Sequence, residues 1–301
     1  MLKIAFHPAY IYPVPENHRF PMLKYELIPS QLLYEGIITK NSLFEPKKVD
    51  FQTACLAHDT DYVRHLFDAT INPKMQRRIG FPWSQQLVDR ERYLVDGTIQ
   101  SALFARQYGI SFNVAGGTHH AGYDYGEGFC MLNDQAIAAT YLLDQGLAKR
   151  ILIIDLDVHQ GNGTAHIFQN SRAVFTFSMH GAKNFPFIKE KSHLDIELED
   201  GLTDDIYLSL LESNLKNLFD TVDPDFVFYQ AGVDILETDK LGKLKVTPQG
   251  CKARDYLVLS SCRHYNIPVQ VSMGGGYSVH IKDIVNAHVE TYKAAVDIYE
   301  F

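Results

Sequence analysis

The sequence predicts an α/β domain: a parallel sheet covered by helices on both faces. Two observations carry this. Short apolar runs of strand length alternate along the chain with longer segments whose apolar residues recur at helical spacing. Runs such as Ile151-Leu152-Ile153-Ile154 are apolar at every position, as strands buried on both faces are. No linker, internal repeat or low-complexity tract interrupts the alternation, so residues 1–301 read as one domain.

Taken in order, Met1–Pro8 is a short strand pattern broken by Pro8. Residues 9–30 carry Pro13, Pro15, Pro21 and Pro29 and read as irregular loop leading to a short helix near Met22–Ile28. Residues 30–45 read as helix and turn. Asp59 or Thr60 is the expected N-cap of a helix through Phe67. Residues 71–86 are mixed, and the basic trio Lys74, Arg77 and Arg78 reads as a solvated helix face. Ser84 to about Tyr108 is a helix, with Leu87, Leu94, Val95, Ile99 and Leu103 near helical spacing and Gly109 as its C-cap.

Ile110–Ala115 is a strand running into Gly116-Gly117-Thr118-His119-His120, and Gly126–Cys130 continues as loop. A helix over Asn133–Gln145, capped by Gly146, precedes the strand 151–157. A Gly161/Gly163 turn leads to a short helix near Thr164–Phe168, and Ala173–Met179 is a further strand. Residues 181–205, acidic toward their end, read as a solvated loop. Then come a helix over Tyr207–Phe219, a strand Asp225–Gln230 leading to Asp234, and a helix over 248–264. The strand Pro268–Ser272 ends in Gly274-Gly275-Gly276-Tyr277, and a helix over Asp283–Ile298 follows.

Of the 301 residues, 46% are hydrophobic and 21% charged, enough for a sizeable core. With 36 acids against 28 Lys plus Arg, the net charge is −8, which argues against a phosphate-backbone partner and suits a cationic substrate. Cys55, Cys130, Cys251 and Cys262 show no paired spacing and read as reduced thiols. The N-terminal stretch has no signal-peptide pattern and no apolar run is long enough to span a bilayer, so the expected setting is soluble and cytoplasmic, without nucleic-acid or membrane partners.

The chemistry gathers at four strand ends. Each passes from an apolar run through small residues to reactive side chains: His119-His120, Asp155/Asp157/His159, Asp234 and Tyr277. In a parallel sheet these ends share the carboxyl edge, where ligand sites of open α/β sheets lie. Residues two apart in a strand share a face, roughly 6.6 Å apart, so Asp155, Asp157 and His159 can look the same way. Two carboxylates beside an apolar run are costly to bury without a compensating charge, and a divalent metal supplies one. Asp157, His159 and Asp234 give one nitrogen and two carboxylate ligands with positions left open, as in catalytic zinc sites; the set also suits Fe(II).

Beside a metal, His119 and His120 offer a general base for water and an acid for a leaving amine. Asp155 and Asn162 remain to hold their other ring nitrogens. The Asp-held histidine favours an imidazolium, and the Asn-held one is the better base. The hydroxyl of Tyr277 can donate to a carbonyl oxygen as charge develops on it. Together these parts predict attack of water on a carbonyl, most simply amide hydrolysis.

The motifs Gly116-Gly117-Thr118-His119-His120-Ala121, Gly128-Phe129-Cys130, Asp155-Leu156-Asp157-Val158-His159-Gln160-Gly161-Asn162-Gly163, Ala231-Gly232-Val233-Asp234 and Gly274-Gly275-Gly276-Tyr277 resemble those of zinc-dependent histone deacetylases over nearly the whole chain. Phe81-Pro82-Trp83-Ser84 and residues 234–242 look most like the class IV branch and its bacterial relatives. The resemblance implies the arginase/deacetylase fold, with a central parallel sheet of about eight strands. It implies one Zn²⁺ on Asp157, His159 and Asp234. His120 paired with Asn162 would be the general base and acid, His119 paired with Asp155 an electrostatic partner, and Tyr277 the group that polarises the scissile carbonyl.

It further implies Gly128 and Phe129 as substrate contacts, Phe185 and Leu241 at the rim, and Arg19 near an internal acetate pocket. A structural K⁺ near Asp155, Asp157, His159, Ser178 and Met179 is also implied. Relatives carry Asp or Asn where Asn162 stands, which bears on the charge state of His120. The expected substrate is an acylated lysine side chain or a small acylated amine. The alternatives are an acetylpolyamine amidohydrolase, a dinuclear-metal ureohydrolase on the same fold, and an inactive acyl-lysine or polyamine binding module.

Overall fold

Eight strands build the core of the computed structural model, which describes residues 1–301. They are β1 (Lys3–Ala5), β2 (Leu43–Phe44), β3 (Ile110–Asn113), β4 (Ile151–Asp155), β5 (Val174–Gly181), β6 (Leu194–Leu198), β7 (Phe226–Gln230) and β8 (Val269–Ser272). All pair in parallel, in the order β2-β1-β3-β8-β7-β4-β5-β6. Every residue of β3, β4, β7 and β8 is buried, as expected for strands covered on both faces.

These four are the strands whose ends carry the reactive motifs, and they stand side by side at the centre of the sheet. The register aligns them. Asn113 pairs with Ser272, Ser272 with Gln230, and Gln230 with Asp155, so a buried polar row crosses the sheet at one level. The four connections leave from this row, which brings their first few residues together.

The helices are α1 (Lys24–Tyr34), α2 (Phe51–Ala54), α3 (Thr60–Phe67), α4 (Pro73–Ile79), α5 (Gln85–Tyr108), α6 (Asp134–Asp144), α7 (Asn162–Phe168), α8 (Asp204–Val222), α9 (Pro248–His264) and α10 (Ile281–Tyr299). Local chemistry sets their ends. Ser84 Oγ accepts from Leu87 N at 3.2 Å to start α5, and Gly109 ends it at φ 87°. Asp59 caps α3 and Asn133 caps α6, each accepting backbone N–H groups of the first turn. Helix α5 packs along β1, β3 and β8, and α9 packs against both α8 and α10. One buried hydrophobic cluster runs through the sheet and these helices.

The strand expected over 151–157 ends at Asp155, so Asp157 and His159 lie in the connection beyond it rather than on one strand face with Asp155. Three further elements depart from the sequence-based expectation. Residues 194–198, expected as loop, form β6: Leu194-Asp195-Ile196-Glu197-Leu198 alternates, and an edge strand tolerates acids on its solvated side. The two residues of β2, within the stretch read as helix and turn, form the opposite edge. Helix α1 runs to Tyr34 despite Pro29 inside it; buried Tyr25, Ile28 and Leu32 and packing against α10 offset the missing N–H. No helix is long and apolar enough to cross a membrane.

Candidate active site

Past the polar row, the β4 connection carries Asp157 and His159, and the β7 connection carries Asp234. One ligand atom from each lies within 4.8 Å of the others, and all three residues are buried. Backbone N–H groups hold the carboxylates: Val158 N donates to Asp234 Oδ1 at 2.9 Å, His159 N to Asp157 Oδ1 at 3.0 Å, and Gly275 N to Asp157 Oδ2 at 2.8 Å. Gly275 must be glycine, because a Cβ there would stand 2.0 Å from Asp234 Oδ2. His159 Nδ1 lies 3.0 Å from Asp157 Oδ1 and 3.1 Å from Asp234 Oδ2.

Burial, and then the charge of Asp157, push the Asp234 carboxyl up to about 7. Burial disfavours the charged form of His159, but the two carboxylates outweigh it and raise it to about 10. Two acids thus compete for one imidazole in a buried pocket. One nitrogen and two oxygen donors suit a divalent transition metal, so the residues present fit the ion implied by the resemblance.

The two histidines follow β3, with ring centroids 4.1 Å apart, and they are held differently. His119 Nδ1 lies 2.7 Å from Asp155 Oδ2, whereas His120 Nδ1 lies 2.7 Å from Asn162 Oδ1. Burial works against a charge on His119, but Asp155 and Asp157 outweigh it and lift it to about 9, an imidazolium at neutral pH. His120 has no such partner. Burial, and then the positive charges of His119 and His159, push it well below its ordinary value, so it stays neutral.

Tyr277 follows β8. Its backbone N–H donates to Asp239 Oδ2 at 2.6 Å, and Asp239 Oδ1 accepts from Leu241 N and Gly242 N at 2.8 Å each. Burial, then Asp157 and Asp234, keep its hydroxyl well above the usual phenol range, so the proton stays on and can be donated. Buried Lys24 Nζ donates to Gly274 O at 2.7 Å and so ties α1 to the turn that carries Tyr277. Burial lowers that ammonium to about 8, although Asp234, Asp157 and Asp239 oppose the shift.

A cavity reaches this cluster, walled by Phe20, Tyr25, Arg90, Gly128, Phe129, Cys130 and Tyr277 together with His119, His120, Asp157 and His159. Gly128 sits at φ 56°, where a Cβ would stand 2.7 Å from the His120 ring. The Phe185 ring meets His120 edge-on at 4.9 Å. Neither Phe185 nor Leu241 is among the cavity-lining residues; the Leu241 N–H serves Asp239, and its carbonyl accepts from Asn184 Nδ2 at 2.7 Å. Arg19, expected near an internal pocket, instead stacks its guanidinium 5.3 Å from the Phe129 ring, and Arg90 takes the inner position. Ser178 and Met179 are buried on β5, with Ser178 paired to Asp155 in the sheet.

Sequence reasoning missed Lys24, Asp239 and Arg254. The Arg254 guanidinium, on α9, donates to the Gly232 carbonyl and reaches those of Leu156 at 3.4 Å and Ala231 at 3.5 Å. It thereby braces both loops that carry the candidate ligands. Only Asp239 had a signal, since it lies within the stretch 234–242 that resembles the class IV branch.

Eight parallel strands with reactive groups converging on the carboxyl ends of the central four define a protein of the arginase/deacetylase fold. The chain belongs to the histone deacetylase family: the model described as "Histone deacetylase domain" matches residues 18–292. An uncharacterised protein of Picosynechococcus sp. is 49% identical, over 98% of this chain and 99% of that protein. Histone deacetylase 2 of Arabidopsis thaliana is 30% identical, over 88% of this chain and 70% of its own length. The crystal structure of an HDAC homolog complexed with SAHA superposes with a TM-score of 0.85 at 26% identity, covering 99% of this chain and 84% of that one. An HDAC homolog from Aquifex aeolicus gives 0.84 at 25% identity, with the same coverage. The chain is a hydrolase of this family, of the deacetylase kind.

Proposed function

We propose that the protein is a zinc-dependent deacylase that hydrolyses the amide of an N-acyl-lysine side chain or a related N-acyl amine. The observation that carries this reading is the unequal pair of histidines beside the three-ligand cluster, with a protonated tyrosine across the cavity from them. Asp157, His159 and Asp234 would hold one zinc ion. Lewis acidity, which acidifies water and polarises a carbonyl, is what zinc supplies when bound there.

The chain's own residues do the rest. Neutral His120 accepts a proton from the attacking water and returns it to the leaving amine. His119, charged against Asp155, stabilises negative charge as it develops without taking part in the transfer. The Tyr277 hydroxyl donates to the carbonyl oxygen, and Asp239 and Lys24 hold its turn in place. Phe129 lines the cavity and Phe185 packs against His120 beside Gly128; the resemblance assigns both to the walls that exclude water from an acyl-lysine stem. Leu241 is assigned to the rim on the resemblance alone. A structural K⁺ is assigned, also on the resemblance, to Asp155, Asp157, His159, Ser178 and Met179. Four free cysteines suit a cytoplasmic setting.

The test is a panel of lysine peptides and polyamines carrying acetyl to long-chain acyl groups, assayed with zinc and with chelator. Turnover that chelator abolishes, and that His120→Ala loses while keeping fold and zinc, is the expected result. Unchanged turnover in His120→Ala, or in chelator, would overturn the mechanism.

A further inference from the structure

Arg78 reads in the sequence as part of a solvated helix face, and Glu127 as a loop residue between two glycines. In the structure they form the outer end of a line of polar contacts that ends on His120. Arg78 Nε donates to Glu127 Oε2 at 2.6 Å. The same guanidinium lies 4.4 Å from the Tyr125 ring centre, which fixes it over the loop. The other oxygen, Glu127 Oε1, accepts from Asn162 Nδ2 at 2.6 Å. Asn162 Oδ1 in turn faces His120 Nδ1 at 2.7 Å. The Glu127 side chain is only 8% exposed, so water does not compete for it.

The direction of these bonds follows from what each group can do. An Asn amide fits its site either way round, and its partners decide which end is oxygen. A carboxylate paired with Arg78 only accepts, so Asn162 must turn its NH₂ toward Glu127 and its carbonyl oxygen toward His120. That oxygen also only accepts, so Nδ1 of His120 must carry the hydrogen. The lone pair then sits on Nε2, the nitrogen left free of the Asn162 contact. Without the carboxylate, the amide could reverse and offer NH₂ to Nδ1, which would move the hydrogen to Nε2 and leave no base there.

We propose that Glu127, clamped by Arg78, is a positioning residue that fixes His120 in its Nδ1–H tautomer through Asn162. The consequence for rate rests on the deacylase reading above, but the tautomer itself can be read without any turnover. Gln at position 127 keeps the shape, but with its oxygen on Arg78 it turns an NH₂ toward Asn162 and so favours the reversed Asn amide.

The experiment is NMR of the zinc-loaded full chain with ring-¹⁵N histidine, which separates protonated from unprotonated ring nitrogens, paired with kcat and KM on an acetyl-lysine peptide. Wild type is expected to show His120 protonated on Nδ1 alone. Glu127→Gln is expected to show a mixture or the Nε2–H form, with kcat down roughly 10–100-fold and KM little changed. Asn162→Asp alone sets two carboxylates against each other and is also expected to lose rate. Glu127→Gln/Asn162→Asp lets Gln donate to Asp and Asp accept from Nδ1–H, so it is expected to restore the Nδ1–H signal and to exceed both singles.

A purely structural role predicts losses that add in the double variant and an unchanged tautomer in Glu127→Gln; either result overturns the proposal. So does an Nε2–H signal in wild type, which needs no variant to fold. If no acyl amine is turned over, the deacylase reading fails, while a tautomer change in Glu127→Gln still supports the role of Glu127.

Discussion

Two buried polar clusters meet on the same two loops and differ in how their charge is balanced. In one, Arg254 and Asp255 are both fully buried, and each is saturated. Asp255 Oδ1 accepts from Arg254 Nε at 3.0 Å and Nη2 at 2.8 Å and from the Tyr229 hydroxyl at 2.5 Å, and Oδ2 accepts from Thr291 at 2.8 Å. The rest of the guanidinium faces carbonyls of residues 156, 231 and 232. In the other, Asp157 and Asp234 crowd around His159, and Asp234 is driven up to about 7. The first cluster is complete in itself and holds backbone. In the second, two carboxylates compete for one imidazole, and one of them is driven toward its neutral form. Buried charge alone does not mark a functional site; carboxylates left competing for one partner do.

The largest effect expected is at Asp234. Asp234→Asn should cost on the order of 10³-fold or more in kcat and most of the zinc affinity. Thermal unfolding of the metal-free chain should change little or improve, since one of two repelling acids is gone. If the metal-free variant unfolds as readily as an Arg254 variant, the contrast between the clusters is broken. Arg254→Met should lower stability by about 3–5 kcal/mol in denaturant unfolding, because it strands Asp255 in the core. A loss under about 1 kcal/mol would mean the pair does not brace the two loops.

Tyr277→Phe removes one donor and no charge from the second cluster. Its kcat should fall about 10²–10³-fold with zinc retained, measured by turnover and metal analysis. Full activity would remove the tyrosine from the mechanism.

A third buried polar group, His58, sharpens the picture because backbone groups alone satisfy it. Its Nδ1 lies 2.8 Å from Gly122 O, and its Nε2 accepts from Asn133 N at 2.8 Å, so it is held neutral, with burial lowering it to about 4. The unfolded chain binds this proton near 6.5 and the folded chain only near 4. The contribution is therefore complete above about pH 6.5 and is lost as pH falls toward 4, roughly 3 kcal/mol in all. His58→Gln should flatten the stability curve between those pH values; an unchanged slope would assign the acid sensitivity elsewhere.

The site was largely legible in the sequence because its reactive groups sit a few residues beyond strand ends, where local pattern announces them. Asp157, His159, Asp234, His119, His120 and Tyr277 all stand there, and the row from Asn113 to Asp155 explains why they converge. What stayed hidden acts across the chain. Lys24 reaches a carbonyl 250 positions away, and Arg78 a carboxylate 49 positions away. No spacing encodes such a pair. The edge strand β6 was hidden for another reason: an alternating acidic segment has the composition of a loop until a neighbouring strand pairs with it.

The order of strands also sets when the molecule can become itself. β8 is the last strand to be synthesised, yet it lies between β3 and β7 in the interior of the sheet. Until Val269–Ser272 has emerged and inserted, the sheet is two unjoined halves, with His119 and His120 on one and the candidate metal ligands on the other. Each half then exposes an unpaired interior edge, the kind of surface that chaperones cover. Assembly waits on the C-terminal third of the chain, and a nascent chain stalled before residue 269 has a histidine pair and an acid cluster but nothing to bring them together.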